Sequence, residues 1–286
     1  MTYRFIDQHK EQWPVRWLCQ TLGVFPVGYY AWRQCPRSAG QQRRNTLLVE
    51  IRSIHAQFKA RYGSPRIHAE LVARGHDCCV NTVAKLMREA DIAAKTARKF
   101  RCTTTDSDHD LPVAENLLDR QFDPAAANES WVADITYIPT REGWLYLAAV
   151  EDLYSRRVVG WAMDEHMDSR LVVDALAMAV QRRLPDEGLL AHSDRGSQYA
   201  SEHYQRLLAK HGITCSMSRR ADCYDKAVME SFFATVKKEE AERFPSYSDA
   251  KMALFNYIEV FYNQRRRHST IGQISPAAFE RRTVAA

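Results

Sequence analysis

The stretch LLAHSDRGSQYA, residues 189–200, is apolar for three residues and then breaks into polar, turn-forming ones. Ser193-Asp194-Arg195-Gly196 is a good turn: an Asp side chain bonds nearby backbone N–H groups and Gly accepts positive φ. The same pattern also describes a short buried strand that delivers a carboxylate, Asp194, to the end of a sheet. The flanking sequence has to decide between the two readings.

Upstream, WVADITYIP (131–139) alternates, GWLYLAAVED (143–152) is apolar, and RRVVGWAMDE (156–165) is β-branched and aromatic. All three are bounded by turn residues and predict strands, the first two joined by a hairpin-sized TREG loop. SRLVVDALAMAVQRRL (169–184) predicts a helix. It is followed by the strand 189–193, a helix around SEHYQRLLAKHG (201–212) and a short strand ITCSMS (213–218). Two long helices, roughly Asp225–Arg243 and Ser248–Arg266, close the chain. Three strands in meander followed by alternating helix and strand describe an α/β fold, a mixed sheet covered by helices.

Residues 1–100 read differently. PVRWLCQTLGV begins with Pro14 and stops at Gly23, and GYYAWRQ offers a second helix; CPRSAGQQRR follows as a linker. Leu47, Leu48, Ile51, Ile54 and Phe58 recur at helical spacing, SPRIHAELVAR opens on Ser64-Pro65, and VNTVAKLMREADI starts another helix near Asn81. Helix, glycine turn, helix with Arg and Lys outward is helix-turn-helix-like. The expected domains are a short helical segment 1–40, a helix-turn-helix-like DNA-binding region 41–100, a linker 101–127 carrying a short helical AENLLDR, and a mixed-sheet core 128–286 with a C-terminal helix, which the resemblance below implies to be catalytic.

The charge division matches this boundary. The net +5 conceals 17 Lys and Arg against 7 Asp and Glu in residues 1–100, and 23 against 28 beyond. A basic front on an acidic back suggests a polyanion-binding module joined to something else. No apolar run reaches the length of a membrane span, and seven cysteines without a CxxC pair argue against a disulfide framework or zinc knuckle. The vicinal Cys78-Cys79 pair cannot easily share one tetrahedral zinc site. The cysteine usage suits a reducing cytoplasm, and the family resemblance set out below implies a bacterial, nucleoid-associated location.

Two further acids join Asp194. Asp134 interrupts the first strand, where a charged group must be paired, hydrated or bound to metal. Glu230 lies on a helix at the edge of an apolar stripe, with Ala227 and Phe233 at i−3 and i+3. In a ribonuclease-H-type sheet strands one and four are neighbours, so their carboxylates can converge with a helical Glu. Asp152 is read mainly as a turn residue, with metal binding the lesser option.

Residues 128–275 resemble the integrase core of DDE transposases and retroviral integrases, and 35 residues separate Asp194 from Glu230. WVADITYI, VEDLYSRRVVGWAM, HSDRGSQYAS, MESFFATVKKE and FYNQRRRHSTIGQISPAAFE resemble the second-frame (OrfB) transposases of the IS-three insertion-sequence family. YGSPRIHAEL and GYYAWR resemble that family's front segment. The resemblance implies a ribonuclease-H-like core behind an all-α front and a catalytic, metal-holding triad of Asp134, Asp194 and Glu230. It implies Mg²⁺ or Mn²⁺, two ions by the chemistry of in-line displacement. It implies cleavage at insertion-sequence ends followed by strand transfer from a 3′-OH. Rival readings are a non-catalytic helix-turn-helix regulator and a resolvase-type nuclease of the same fold.

Lys237, with Lys238 as companion, projects from the Glu230 face toward phosphate, and the resembling family carries a basic residue at that place. Arg265, Arg266, Arg267 and His268 form a basic helix end suited to DNA phosphates. The implied partners are terminal-repeat and target DNA, further copies of the chain, and the upstream-frame (OrfA) product or a fusion with it. Three departures stand out: Lys226 replaces the family's usual Asn, IGQISP replaces its LGYxSP pattern, and VFPVGYY replaces its VSxSGYY pattern.

Overall fold

The computed structural model describes residues 1–34, 38–96, 111–219, 227–240 and 243–284. The chain folds into two compact units, Met1–Ala94 and Lys95–Ala286. Lys226 and Cys223 lie outside the described residues.

The front unit is helical. Helices α1 (Thr2–His9), α2 (Val15–Thr21) and α3 (Pro26–Gln34) close on Ile6, Leu18, Cys19 and Tyr29. Helix α4 (Ala39–Gln57) starts inside the stretch expected to be a linker. The reason is local: the Ser38 hydroxyl accepts the Gln41 N–H, an N-cap, and Gln41 donates to the Asn45 side chain one turn on. Leu47, Ile51 and Ile54 of α4 turn inward with Phe58 just past its end, as their spacing requires. They share a buried layer with Ile67 and Leu71 of α5 (Ser64–Ala73) and Val83, Leu86 and Met87 of α6 (Val80–Glu89). Between α5 and α6 the chain reverses at Gly75, whose φ of +84° favours glycine.

The second unit is built on a five-stranded sheet of order β3-β2-β1-β4-β5. Strands β1 (Ser130–Pro139), β2 (Trp144–Asp152) and β3 (Arg157–Asp164) form an antiparallel meander, and β4 (Leu190–Ser193) and β5 (Thr214–Met217) add in parallel. This is a ribonuclease-H-like sheet, with strands one and four adjacent as expected. One face buries Trp131, Ala133, Ala148, Val150 and Val159. Against it lie α7 (Ser169–Arg183), α8 (Ser197–Ala200) and α9 (Glu202–Lys210). Helix α7 sits so close that a Cβ on Gly160 would overlap the Ala175 carbonyl oxygen and Ala179. Gly160 is therefore a packing requirement of this sheet face.

AENLLDR is not helical. Leu117 and Leu118 donate their N–H groups to the Ser216 hydroxyl, the Met217 N–H reaches the Glu115 carbonyl, and Asp119 and Arg120 take positive φ. Bonds to β5 replace the i→i−4 bonds that a helix would have made.

The end of the chain also departs from two long helices. After α10 (Ala227–Glu239) and α11 (Tyr247–Phe255), the chain widens into a π-helix, Asn256–Tyr262. That turn buries the adjacent pairs Tyr257/Ile258 and Phe261/Tyr262, which one face of an α-helix could not do as fully. It delivers Asn263 to strand β3, where the side-chain amide donates to the Val158 carbonyl and its oxygen accepts the Val158 N–H. The amide thus satisfies backbone groups of the edge strand beside its bulge, where Val159 is the extra residue between the pairs Val150–Gly160 and Glu151–Val158. A further helix, α12 (Pro276–Val284), sends Glu280 to Arg157, Arg183 and Ser155. Burial pushes the Glu280 carboxyl up, but the two arginines outweigh it and leave it below its ordinary value.

Candidate active site

Asp134 lies on β1 opposite Ala149 of β2, half-buried, with its Oδ1 accepting the Ile135 N–H at 2.8 Å. The parallel β1–β4 ladder ends at Val132 and His192. Asp134 is two residues beyond the first and Asp194 two beyond the second, so the register sets both carboxylates at one level on neighbouring strands. Asp194 is buried, and its Oδ1 accepts the Gly196 N–H at 2.8 Å. Both readings of SDRG therefore hold: Asp194 closes the turn with one oxygen and stands at the strand end.

A cleft at this end of the sheet is lined by Val132, Ala133 and Asp134 from β1, His192 and Ser193 from β4, and Val228 and Met229 from α10. The His192 ring is held by its Nδ1 at 2.9 Å from the Ser216 hydroxyl, which also receives the Leu117 and Leu118 amides. Glu230 follows Met229 in the first turn of α10 and is exposed. Among the described residues no three His, Cys, Asp or Glu side chains are gathered closely enough to hold a metal ion. Asp134 in mid-β1 and Asp194 just past the end of β4 are level with each other, and Glu230 follows a residue that lines the cleft.

The donors still fit a hard divalent cation, since carboxylate oxygens on adjacent strands are the ligand type such ions take. The Tyr199 hydroxyl, buried in α8 just after the Asp194 turn, has no hydrogen-bond partner among the described residues, and burial holds it well above its ordinary value.

The expected phosphate contacts divide. The Lys237 ammonium lies 4.2 Å from the Tyr137 ring centroid, a cation–π arrangement that holds it near β1. Lys238 and Arg265 are exposed. Arg267 donates to the Gln273 carbonyl, and His268 stands edge-on to Tyr262 with Nε2 at 3.1 Å from Arg266 Nη1.

Arg266 departs from expectation. It is 3% exposed, and its Nε and Nη2 donate to both oxygens of Glu239 at 2.9–3.1 Å, with the Tyr257 hydroxyl on the same carboxylate. A guanidinium buried in this way reaches no DNA phosphate; it ties the end of α10 to the segment after the π-helix. The signal for Glu239 was in the sequence, because Met229, Phe232, Phe233, Val236 and Glu239 continue one helical stripe. Nothing comparable marked Arg266 among its neighbouring arginines.

Asp152 accepts the Tyr154 and Asn128 N–H groups and pairs with Arg183, which supports the turn reading. Neighbouring Glu151 is buried and bonded by the Tyr262 hydroxyl, and burial raises its carboxyl to about 8. In the front unit, α6 exposes Asn81, Lys85 and Arg88.

Comparison with known proteins agrees with this architecture. Residues 124–223 and 211–276 match integrase core domain families, and residues 42–100 match an HTH-like domain. Over its whole length the chain is 42% identical to the full length of transposase InsF of insertion sequence IS3A from Escherichia coli (strain K12). It is 45% identical over 264 residues, 92% of this chain and 97% of that protein, to an uncharacterized 31 kDa protein of insertion element IS600 from Shigella sonnei. Among solved structures, the HTLV-2 integrase catalytic core in complex with magnesium aligns at a TM-score of 0.42 and 16% identity, covering 55% of this chain and 98% of that one. Integrase core, HTH-like front and full-length similarity to InsF agree: the chain belongs to the family of insertion-sequence DNA transposases that includes InsF of IS3.

Proposed function

We propose that Asp134, Asp194 and Glu230 are the catalytic, cation-holding carboxylates of a transposase that cuts insertion-sequence ends and joins them to target DNA. The observation that carries this reading is the parallel register of β1 and β4, with the first turn of α10 beside it. The two aspartates present their carboxyl groups at one level of the sheet. Glu230 joins them as α10 settles over the cleft on DNA. A pair of Mg²⁺ or Mn²⁺ ions, when bound, supplies charge neutralisation and activation of the attacking oxygen.

Water attack at phosphorus breaks the bond to the 3′ oxygen, releasing a 3′-OH and leaving a 5′-phosphate across the nick. That 3′-OH then attacks a target phosphodiester, forming one P–O bond as another breaks, so no ATP is consumed. Lys237 anchors a non-reacting phosphate from α10, with Lys238 and Arg265 as outer phosphate contacts. Arg267 and His268 bound the same surface. The front unit supplies phosphate affinity, and the upstream-frame product and further copies of the chain complete the assembly on DNA.

Asp134→Asn, Asp194→Asn and Glu230→Gln each test the assignment. Each is expected to lower end cleavage and strand joining by about 100- to 1000-fold, the scale of losing a charge-stabilising group at the reacting centre. DNA binding should persist. Near-normal joining by any one variant removes that residue from the triad. A wild-type chain that binds DNA without cutting it under Mg²⁺ or Mn²⁺ supports the regulator reading instead.

A further inference from the structure

Beyond the two aspartates the sheet narrows. Strand β4 ends at Ser193 and its ladder with β1 at Val132 and His192, while β1 and β2 stay paired as far as Pro139 and Trp144. The hairpin therefore runs five residues past Asp134, about 17 Å at the rise of a strand. Helix α10 keeps pace with it: Val228 and Met229 line the cleft beside Asp134, and Lys237 reaches the Tyr137 ring. Met229 to Lys237 and Ala133 to Tyr137 each cover about 12–13 Å at the rises of helix and strand, so the two elements advance side by side.

Trp144 is the one exposed residue of β2, at 42%, in a strand otherwise buried or half-buried. Its indole stands edge-on to the Tyr137 ring at 5.1 Å, and the Lys237 ammonium lies against that same ring. A cation and an exposed indole thus flank one tyrosine on the shelf that leads away from the carboxylates. The mount is rigid. The Thr140 hydroxyl donates to the Gly143 carbonyl and accepts the Glu142 and Gly143 amides. From α11, the Tyr247 N–H donates to the Glu142 carboxylate and the Tyr247 hydroxyl to the Glu142 carbonyl. Gly143 has a φ of +141°, and a Cβ there would overlap the Tyr247 hydroxyl, so the turn before Trp144 favours glycine twice over. An indole on a fixed turn loses little freedom when a flat partner covers it.

We propose that Trp144 is a base-stacking contact: a nucleobase of the DNA strand leading away from the reacting phosphate lies on the exposed indole, and Lys237 holds the backbone beside it. The proposal rests on the carboxylate site and the Lys237 anchor put forward above. Its chemistry is that of strand-tracking surfaces, where cations follow the phosphates and an aromatic ring takes a base of any identity. The surroundings suit a phosphate backbone better than the dry centre of a protein interface. Arg141 and Lys238 are exposed cations, and the acid between Arg141 and Trp144, Glu142, is taken up by Tyr247.

The test is fluorescence-anisotropy binding of the full chain to a single-stranded oligothymidylate and to an abasic strand of the same length, without divalent ions so that neither is cut. Trp144→Leu keeps an apolar side chain against Tyr137 but removes the flat ring. Its affinity for oligothymidylate should fall by about tenfold, near the low end of what one base–aromatic stack contributes, with affinity for the abasic strand unchanged. Trp144→Phe, which keeps a smaller ring, should lose less. Lys237→Ala should weaken binding to both strands, since a phosphate contact needs no base.

Unchanged oligothymidylate binding by Trp144→Leu, with Lys237→Ala weakening both strands, overturns the inference and leaves the phosphate anchor standing. An equal loss on both strands in Trp144→Leu also overturns it, because the indole then supports the fold and not a base. If Lys237→Ala changes neither strand, the anchor reading falls, while the Trp144→Leu comparison still decides the stack.

Discussion

The two units use arginine in opposite ways. In the front unit Arg43 and Arg44 pair with Asp77 and Glu89 while remaining well exposed, and among its described residues Arg61 is the one buried charged side chain. In the core, Arg183 and Arg266 are largely buried and bind Asp152, Glu280 and Glu239. Exposed pairs contribute little to stability, whereas removing one partner of a buried pair leaves an uncompensated charge. The front unit is thus held by its apolar layers, with its basic charge facing outward. The core uses its charges to fix where α12 meets the sheet and where the end of α10 meets the segment after the π-helix.

The sharpest way to break this contrast is to remove one arginine from each unit. Arg266→Ala should destabilise the core by about 3–5 kcal/mol, because Glu239 would be left buried and unpaired. Arg44→Ala should change the front unit by less than about 1 kcal/mol. Urea unfolding of the full chain, following each unit's own transition, decides it. A core loss as small as the front one would mean that Arg266 and Glu239 are not paired in solution.

The contrast extends to pH. The Glu151 carboxyl is raised from 4.5 to about 8, so between those values the folded core holds a proton that the unfolded chain has released. Stability from this group is fully present below about pH 4.5 and is lost as pH rises toward 8, by up to about 1.4 kcal/mol per pH unit. Glu151→Gln, which keeps the buried donor and acceptor shape, should remove that slope. Denaturant midpoints at pH 6, 7 and 8 read it directly, and identical pH slopes for wild type and variant would show that Glu151 is ionised in the fold.

Smaller effects concern DNA. Lys237→Ala should weaken binding and reduce the salt dependence by about one counterion unit, as expected for one lost phosphate contact. Binding measured across a salt series with an unchanged slope would make the Tyr137 contact the whole of its role. The front unit's exposed cations are expected to give mostly phosphate affinity, which carries no base information. Competition binding should then show only a weak preference of this chain for terminal-repeat DNA over random duplex. Strong, salt-resistant selectivity would make the front unit a complete reader of sequence.

Periodicity and turn chemistry carried most of the architecture. Alternation in residues 131–139, the apolar run after Gly143 and the break at Asp194 located the strands, although β1 and β2 bury consecutive residues and so do not follow a period of two in the fold. The 35-residue interval and the motifs around it pointed to the family. The sequence could also place the three acids on two strands and a helix, since each sits inside or at the edge of an apolar pattern.

Tertiary structure decided what depends on partners distant in the chain. Ser216 drew AENLLDR out of helix; two adjacent buried pairs, Tyr257/Ile258 and Phe261/Tyr262, sit in a segment widened into a π-helix; and Glu239, 27 residues before Arg266, took that arginine away from the surface. The Tyr199 hydroxyl belongs to the same class, because only the packed ring shows that its donor is left without a partner. A local pattern fixes which face a residue turns inward. It does not fix which polar group waits there, and for buried charges and hydroxyls that partner sets the role.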